Sequence, residues 1–161
     1  QQLETLRSLS LRSNKIEALQ EETFRNWRSV ASLQRVDLSW NRISDDTFHN
    51  GALHPLHDLS ELSLEGNNIN DLLALFKHKL KTQVESMSSL NLASNNIKGA
   101  VSLELPFKKL YTISFENNKI SHIAPRFFAY ARQIRFAYLS NNNFAQFPSE
   151  VFWSTRNLQV M

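Results

Sequence analysis

Residues 6–14 read LRSLSLRSN, and this short stretch decides the fold because it recurs along the chain. Leucines at positions 6, 9 and 11 alternate with polar residues, as in a half-buried strand, and the run then ends on an asparagine. The same pattern, LQRVDLSWN, returns at residues 33–41. Counting in this way gives six copies, whose final asparagines are Asn14, Asn41, Asn67, Asn95, Asn118 and Asn142.

The spacing of the copies indicates the architecture. The six asparagines are separated by 27, 26, 28, 23 and 24 residues. Self-similarity at such a period predicts a solenoid, in which each coil packs only against its neighbours. We therefore predict one domain over residues 1–161 with about six and a half repeats, and we interpret it as a segment of a longer array that lacks its caps.

The pattern resembles the leucine-rich repeat, L-x-x-L-x-L-x-x-N-x-L, over essentially the whole chain. The resemblance implies an α/β solenoid with a curved parallel β-sheet on its concave side and loops and short helices on its convex side. At the inward turn after each strand, a buried polar side chain is tolerable only if it is hydrogen-bonded. Because an asparagine amide both donates and accepts, we expect the six asparagines to form a ladder of hydrogen bonds to the backbone of neighbouring coils.

The segments that return along the convex side differ between copies. In the third copy, apolar residues at helical spacing follow an Asn-Asp pair that can cap a helix, which predicts a helix through Leu72, Leu73, Phe76 and Leu80. The second copy contains Asn50-Gly51 and reads as a loop or a broken helix.

Three copies carry a phenylalanine ten residues after the asparagine, and these rings are expected to stack as an aromatic spine: Phe24, Phe128 and Phe152. Those copies are similar to the typical repeats of extracellular ectodomains such as the Toll-type receptors and the insect adhesion protein chaoptin.

The composition argues against several classes of function. The chain has no cysteine, which removes disulfides, thiol catalysis and cysteine metal sites, and it shows no phosphate-binding glycine loop and no G-x-S-x-G motif. The pair His54 and His57 matches no established zinc spacing, so we predict a solvated loop, no cofactor and no enzyme. A net charge of only +3 disfavours nucleic acid as a partner. No apolar run spans a membrane within this stretch, and an anchor elsewhere in the parent chain stays open.

The outward residues of the predicted sheet contain two groups that we predict to bind a partner, because Trp, Tyr and Arg contribute much of interface energy. The first comprises Arg35, Asp37 and Trp40, with Glu61 and Glu65 in the next coil. The second comprises Tyr111, Phe136 and Tyr138. The structural alternatives are that Arg35 simply pairs with Glu61 and that Phe136 and Tyr138 pack on each other.

The resemblance implies a function as well as a fold. It favours a part of an extracellular or cell-surface receptor or adhesion ectodomain that binds a protein partner, or another copy of itself, through the concave face. An intracellular scaffold or regulatory protein in the cytoplasm is the alternative, for which the absence of cysteine is natural. A module that controls an enzymatic domain outside this stretch is the third interpretation.

Overall fold

The computed structural model describes residues 6–27, 30–49, 51–77, 81–102, 104–146 and 148–159. The predicted limits of the array, residues 1 and 161, lie outside these ranges. Within them, six strands form one parallel sheet in the order β1, β2, β3, β4, β6, β8, so each copy contributes one strand. The strands are β1 (Ser8–Ser10), β2 (Arg35–Asp37), β3 (Glu61–Ser63), β4 (Ser89–Asn91), β5 (Lys98–Val101), β6 (Thr112–Ser114), β7 (Lys119–Ile123) and β8 (Phe136–Tyr138).

The register of the sheet follows the repeat. The middle residues of the six strands are mutual partners and point into the solenoid, and they are Leu9, Val36, Leu62, Leu90, Ile113 and Ala137. All of them except the partly buried Leu9 are at most 2% exposed. The predicted parallel-sheet solenoid is therefore confirmed, and we number its coils 1 to 6, one for each of the six asparagines.

The asparagines bond to the backbone of two successive coils. The Asn67 side-chain oxygen accepts the Ile43 N–H at 2.9 Å, and its amide nitrogen donates to the Leu38 carbonyl at 3.0 Å, both in the preceding coil. The same nitrogen donates to the Leu64 and Glu65 carbonyls of its own coil. Asn41, Asn95, Asn118 and Asn142 make the corresponding bonds. Asn14 donates to two carbonyls of coil 1.

The residue before each of these asparagines has a positive φ, a feature that the sequence analysis did not predict. An L-residue in this left-handed region costs about 1 to 2 kcal/mol. The residue with positive φ is held by a hydrogen bond to the next coil. In coil 3, for example, the Gly66 N–H donates to the Ala93 carbonyl at 2.9 Å. The six residues are Ser13, Trp40, Gly66, Ser94, Asn117 and Asn141, with φ between 54° and 65°.

The returning segments of coils 2 and 3 contain the α-helices of the described residues: α1 (Asp46–His49), α2 (Leu72–Lys77) and α3 (Lys81–Ser86). The helix predicted for coil 3 is confirmed where it is described, and the Asp71 carboxylate accepts the Leu73 N–H at 2.7 Å as its cap. Leu72 and Phe76 are buried, whereas Leu73 is 40% exposed, because it lies about 100° round the helix from Leu72. Leu80 lies outside the described residues. Short 3₁₀ turns occupy Glu21–Thr23, Val30–Ser32 and Ser149–Phe152.

Coils 4 and 5 return differently, because β5 and β7 pair in parallel as a second, two-stranded sheet. These are the coils with the short periods of 23 and 24 residues. A helix advances about 1.5 Å per residue and a strand about 3.3 Å, so a short segment must be extended to cover the same return distance.

The predicted aromatic spine requires correction. Phe128 and Phe152 stack with ring centroids 5.8 Å apart, but Phe24 packs edge-on against Trp27 instead, because its coil is not adjacent to theirs. Phe127 joins the first pair to rings of neighbouring coils, at 4.8 Å from Phe128. The resulting phenylalanine cluster spans coils 3 to 6 and contains Phe76, Phe107, Phe115, Phe127, Phe128 and Phe152.

Candidate binding face

The outward side chains of the six-stranded sheet form the concave face in three columns. Cross-strand pairing fixes the first column as Ser8, Arg35, Glu61, Ser89, Thr112 and Phe136. It fixes the second as Ser10, Asp37, Ser63, Asn91, Ser114 and Tyr138. The third lies just beyond the strands, two residues before each asparagine, and contains Arg12, Ser39, Glu65, Ala93, Glu116 and Ser140. Successive members of a column are about 4.8 Å apart along the sheet.

The structure divides the first predicted group. Arg35 and Glu61 face each other on β2 and β3, with guanidinium and carboxylate atoms 3.9 Å apart. Both side chains are about half exposed, at 53% and 47%, so the pair contributes at most about 1 kcal/mol to stability. Arg35 therefore pairs with Glu61, as the alternative interpretation proposed, and the pair remains accessible from solvent.

Asp37 is held by its own coil and the one before it. Its carboxylate accepts hydrogen bonds from the Ser39 hydroxyl and, at 3.0 Å, from the Ser39 N–H. Burial by itself raises the pKa of Asp37, but the Ser39 hydrogen bonds, the Arg12 guanidinium and the Ser10 hydroxyl together outweigh it and lower the pKa below the ordinary 3.8. Asp37 is thus a fixed negative charge in the second column.

Trp40 is tied to the next coil by its backbone and its side chain. It occupies the left-handed turn after β2 with φ of 56° and is 46% exposed, and its N–H donates to the Glu65 carbonyl at 2.7 Å. Its indole covers Gly66 in the next coil so closely that a methyl group there would come within 2.7 Å of the ring. One part of the Trp40 ring is therefore used in packing on the next turn.

The third column contains a cation that reaches along the sheet. The Arg12 guanidinium donates to the Ser39 hydroxyl at 2.7 Å and lies 3.9 Å from the Glu65 carboxylate, two coils away. The small Ser39 side chain leaves the space through which this contact is made. On the other side, the Glu65 carboxylate accepts a hydrogen bond from the Asn91 amide at 3.1 Å.

The second predicted group is brought together. The Tyr111 and Phe136 rings lie 5.4 Å apart, and Phe136 and Tyr138 stack at 6.4 Å with their planes 7° apart. Tyr111 is 41% exposed, the other two are half-buried, and the Arg135 guanidinium lies 5.5 Å from the Tyr111 ring centre. We call Tyr111, Phe136 and Tyr138 the aromatic wall, since they line one end of the concave face.

Between the two predicted groups lies an open depression of about 280 Å³. Glu65 and Glu116 stand on either side of Ala93 in the third column, and Tyr138 of the aromatic wall closes one end. We call this place the Ala93 depression, and its lining comprises Glu65, Ser89, Leu90, Asn91, Ala93, Thr112, Ser114, Glu116 and Tyr138.

The sequence analysis did not identify the Ala93 depression, although the signal was present. Reading the third column from coil 1 to coil 6 gives R, S, E, A, E, S, in which a small residue separates two carboxylates. Glu65 of this column was predicted to belong to the first group. Ala93 in the next coil was not singled out, because the predicted groups were built around large aromatic and charged residues.

Other kinds of site find little support in the described residues. Their side chains include no group of three His, Cys, Asp or Glu arranged to hold a metal ion. His54 and His57 lie with ring centres 5.9 Å apart. None of the described helices has the length and apolar character that crossing a membrane requires.

Comparison with known proteins agrees with this geometry. The leucine rich repeat family model matches residues 4–69. A solved leucine-rich repeat protein from Bacteroides eggerthii DSM 20697 superposes on 96% of the chain with a TM-score of 0.68 and 22% identity. Residues 4–69 belong to the leucine-rich repeat family, and the chain has the leucine-rich-repeat fold. The structure of a TLR13–ssRNA13 complex shows the same fold, with a TM-score of 0.68 and 22% identity over 97% of this chain and 24% of that one.

Relatives of this leucine-rich-repeat chain are longer than the chain itself. Osteomodulin of Bos taurus is 30% identical over 121 residues, which are 75% of this chain and 27% of osteomodulin. Lumican of Coturnix japonica is 22% identical over 173 residues, covering 97% of this chain and 49% of lumican. The chain thus spans about half, or less, of the length of these relatives.

Proposed function

We propose that this chain is part of an extracellular receptor or cell-adhesion ectodomain and that it recognises a protein partner through its concave face. The observation that carries the proposal is the aromatic wall. Tyr111 and Tyr138 each pack against Phe136, and Tyr111 is 41% exposed. Grouped exposed rings mark interaction surfaces more often than single ones do.

The surroundings of the aromatic wall suit an interface. Phe136 and Tyr138 stack on each other, yet this contact leaves their outer faces toward the concave side, so packing and binding are compatible. The neighbouring outward residues Thr112, Ser114 and Asn91 are polar. An aromatic centre with a polar rim is the usual anatomy of a protein interface.

The extracellular location is supported by likeness. The copies with phenylalanine ten residues after the asparagine resemble the repeats of Toll-type ectodomains, and the TLR13 structure shares the fold. Top-down mass spectrometry of the native protein from its source tests the location. A removed signal peptide, glycans or flanking disulfides are expected, whereas an unprocessed and unmodified amino terminus would place the protein in the cytoplasm as a scaffold.

A binding experiment tests the recognition surface. Fluorescent tetramers of the chain are applied to cells and measured by flow cytometry, and beads coated with the chain are tested for homotypic aggregation. The double variant Phe136→Ser with Tyr138→Ser is expected to lose at least about tenfold in binding, as for a hot spot of about 1.4 kcal/mol or more. Tyr130→Ser with Trp153→Ser is the matched control, because those rings are 47% and 79% exposed on the returning side.

The outcomes separate the two roles of the aromatic wall. Loss of binding with an unchanged melting temperature supports the proposal, and loss of bead aggregation would make the partner another copy of the chain. Equal loss in the control pair would contradict a concave interface. A large fall in the melting temperature of the concave variant would make its rings structural.

A further inference from the structure

We infer that the Ala93 depression receives an arginine or lysine side chain of the protein partner, so that the segment which docks on the concave face is basic. This inference rests on the proposed function, because it assigns the chemistry of the partner at that face. It concerns residues that lie between the two predicted groups and that only the folded sheet brings together.

Charge complementarity is the first argument. Glu65 and Glu116 are two coils apart in the third column, so their backbones are about 10 Å apart, and Ala93 between them contributes only a methyl group. Within the described residues, Glu116 takes part in no ion pair. The described residues here supply two carboxylates and no group of three His, Cys, Asp or Glu that could hold a metal ion. A long side chain with several donors suits this wide separation.

The chain itself supplies the second, independent argument. Arg12 already lies along the third column over a small residue, Ser39, with its guanidinium 3.9 Å from Glu65. A guanidinium therefore fits between the coils of this column. Ala93 is the small residue on the opposite side of Glu65, and the space above it is the part that the partner's cation would fill.

The lining of the Ala93 depression prepares it for a cation. The Asn91 oxygen accepts the Ala93 N–H at 3.0 Å, which turns its amide nitrogen toward the Glu65 carboxylate. This fixes both the amide and the acid without supplying a positive charge. Tyr138 at the end of the depression offers an aromatic face to the aliphatic stem or the charged head of the incoming side chain.

A titration with a defined peptide tests the inference. The probe is acetyl-triarginine amide, added to the ¹⁵N-labelled chain at low salt, with acetyl-triglutamate amide as the opposite charge. Shifts are expected at the amides of Ser89–Asn91 and Thr112–Ser114. Glu116→Gln is expected to raise the Kd about tenfold, as for the loss of one charge-assisted hydrogen bond. Glu150→Gln removes the same charge from an exposed glutamate of a returning segment, outside the depression, and should change the Kd by less than about twofold.

A second variant supplies the cation from within. Ala93→Arg adds a guanidinium beside Glu65 and Glu116, so the variant should lose the peptide shifts. Because Ala93 is only 7% exposed, its melting temperature is measured alongside, and Glu116→Gln tests the same site without enlarging a buried side chain. An unchanged Kd in Ala93→Arg or Glu116→Gln, equal weakening in Glu150→Gln, or no shifts at these strands would each overturn the inference. If Glu116→Gln and Ala93→Arg keep cell binding while the aromatic-wall variant loses it, the inference fails and the proposed function stands. If all of them keep it, both fail.

Discussion

Gly66→Ala is the substitution whose cost the structure specifies most closely. The added methyl group would lie 2.7 Å from two carbons of the Trp40 ring and 3.2 Å from a third, so the indole must move. In addition, Gly66 has φ of 65°, where an L-residue costs about 1 to 2 kcal/mol. With about 1 kcal/mol for the displaced aromatic packing, we expect a loss of about 2 to 3 kcal/mol in the free energy of unfolding. For a chain of this size, that lowers the melting temperature by about 10 °C.

The two parts of this cost can be measured separately. Ser94 has the same backbone conformation in the next coil, with φ of 55°, so Ser94→Gly should stabilise by about 1 kcal/mol and reports the conformational part alone. Urea unfolding of Trp40→Ala, Gly66→Ala and the double variant reports the rest, with an expected coupling of about 1 kcal/mol. A coupling near zero would show that the indole does not press on Gly66 and would refute the reasoning.

Three further predictions address the core, the asparagines and pH. Asn67→Ala should cost about 3 kcal/mol in a urea melt by leaving backbone groups unpaired, whereas Ser63→Ala should be nearly silent, and similar losses would contradict the register. Phe107→Ala should cost about 3 to 5 kcal/mol by opening the phenylalanine cluster, against less than about 0.5 kcal/mol for the exposed Trp153→Ala. The lowered pKa of Asp37 stabilises the fold above pH 3.8, and this contribution is lost as the pH falls through the pKa of the folded state. Asp37→Asn should therefore reduce the dependence of the free energy of unfolding on pH between pH 7 and pH 2. An unchanged slope on the acid side would contradict this role of Asp37.

The fold was predictable because its determinants repeat. One copy of the L-x-L alternation would have been ambiguous, but six copies in register fix the strand, its buried face and the inward turn together. The predicted positions of Leu9, Val36 and their partners in the sheet follow directly. A repeated pattern thus supplies internal evidence that a single strand cannot.

The features that were not predicted depend on the lengths of the returning segments and on contacts between coils. The pairing of β5 with β7 follows from the short periods of coils 4 and 5, a signal that was visible but not interpreted. The turn residues with positive φ are of different types. Trp40, Gly66 and Asn117 occupy the equivalent position of their coils, so residue type could not identify this position. The phenylalanine cluster joins residues at different positions of their copies, such as Phe76 and Phe107, and only the packing of the coils brings them together.

The candidate site was predictable in part for the same reason. Phe136 and Tyr138 of the aromatic wall occupy strand positions whose outward direction the alternation fixes, whereas Tyr111 precedes β6 and joins them by packing against Phe136. Trp40 lies beyond the strand, where the alternation no longer determines direction, and it packs on a neighbouring turn. Sequence patterns therefore locate side chains on the strands better than those on the turns that follow.

The pairing of β5 with β7 has a consequence for the curvature of the molecule. Helices pack about 8 to 10 Å apart and paired strands about 4.8 Å apart, so coils that return through helices spread on the convex side and bend the array. Coils 4 and 5 have paired strands on both sides, so that stretch of the array bends less. The Ala93 depression and the aromatic wall begin at this straighter stretch. An extended segment of the proposed partner therefore fits better across β4 and β6 than across β1, β2 and β3.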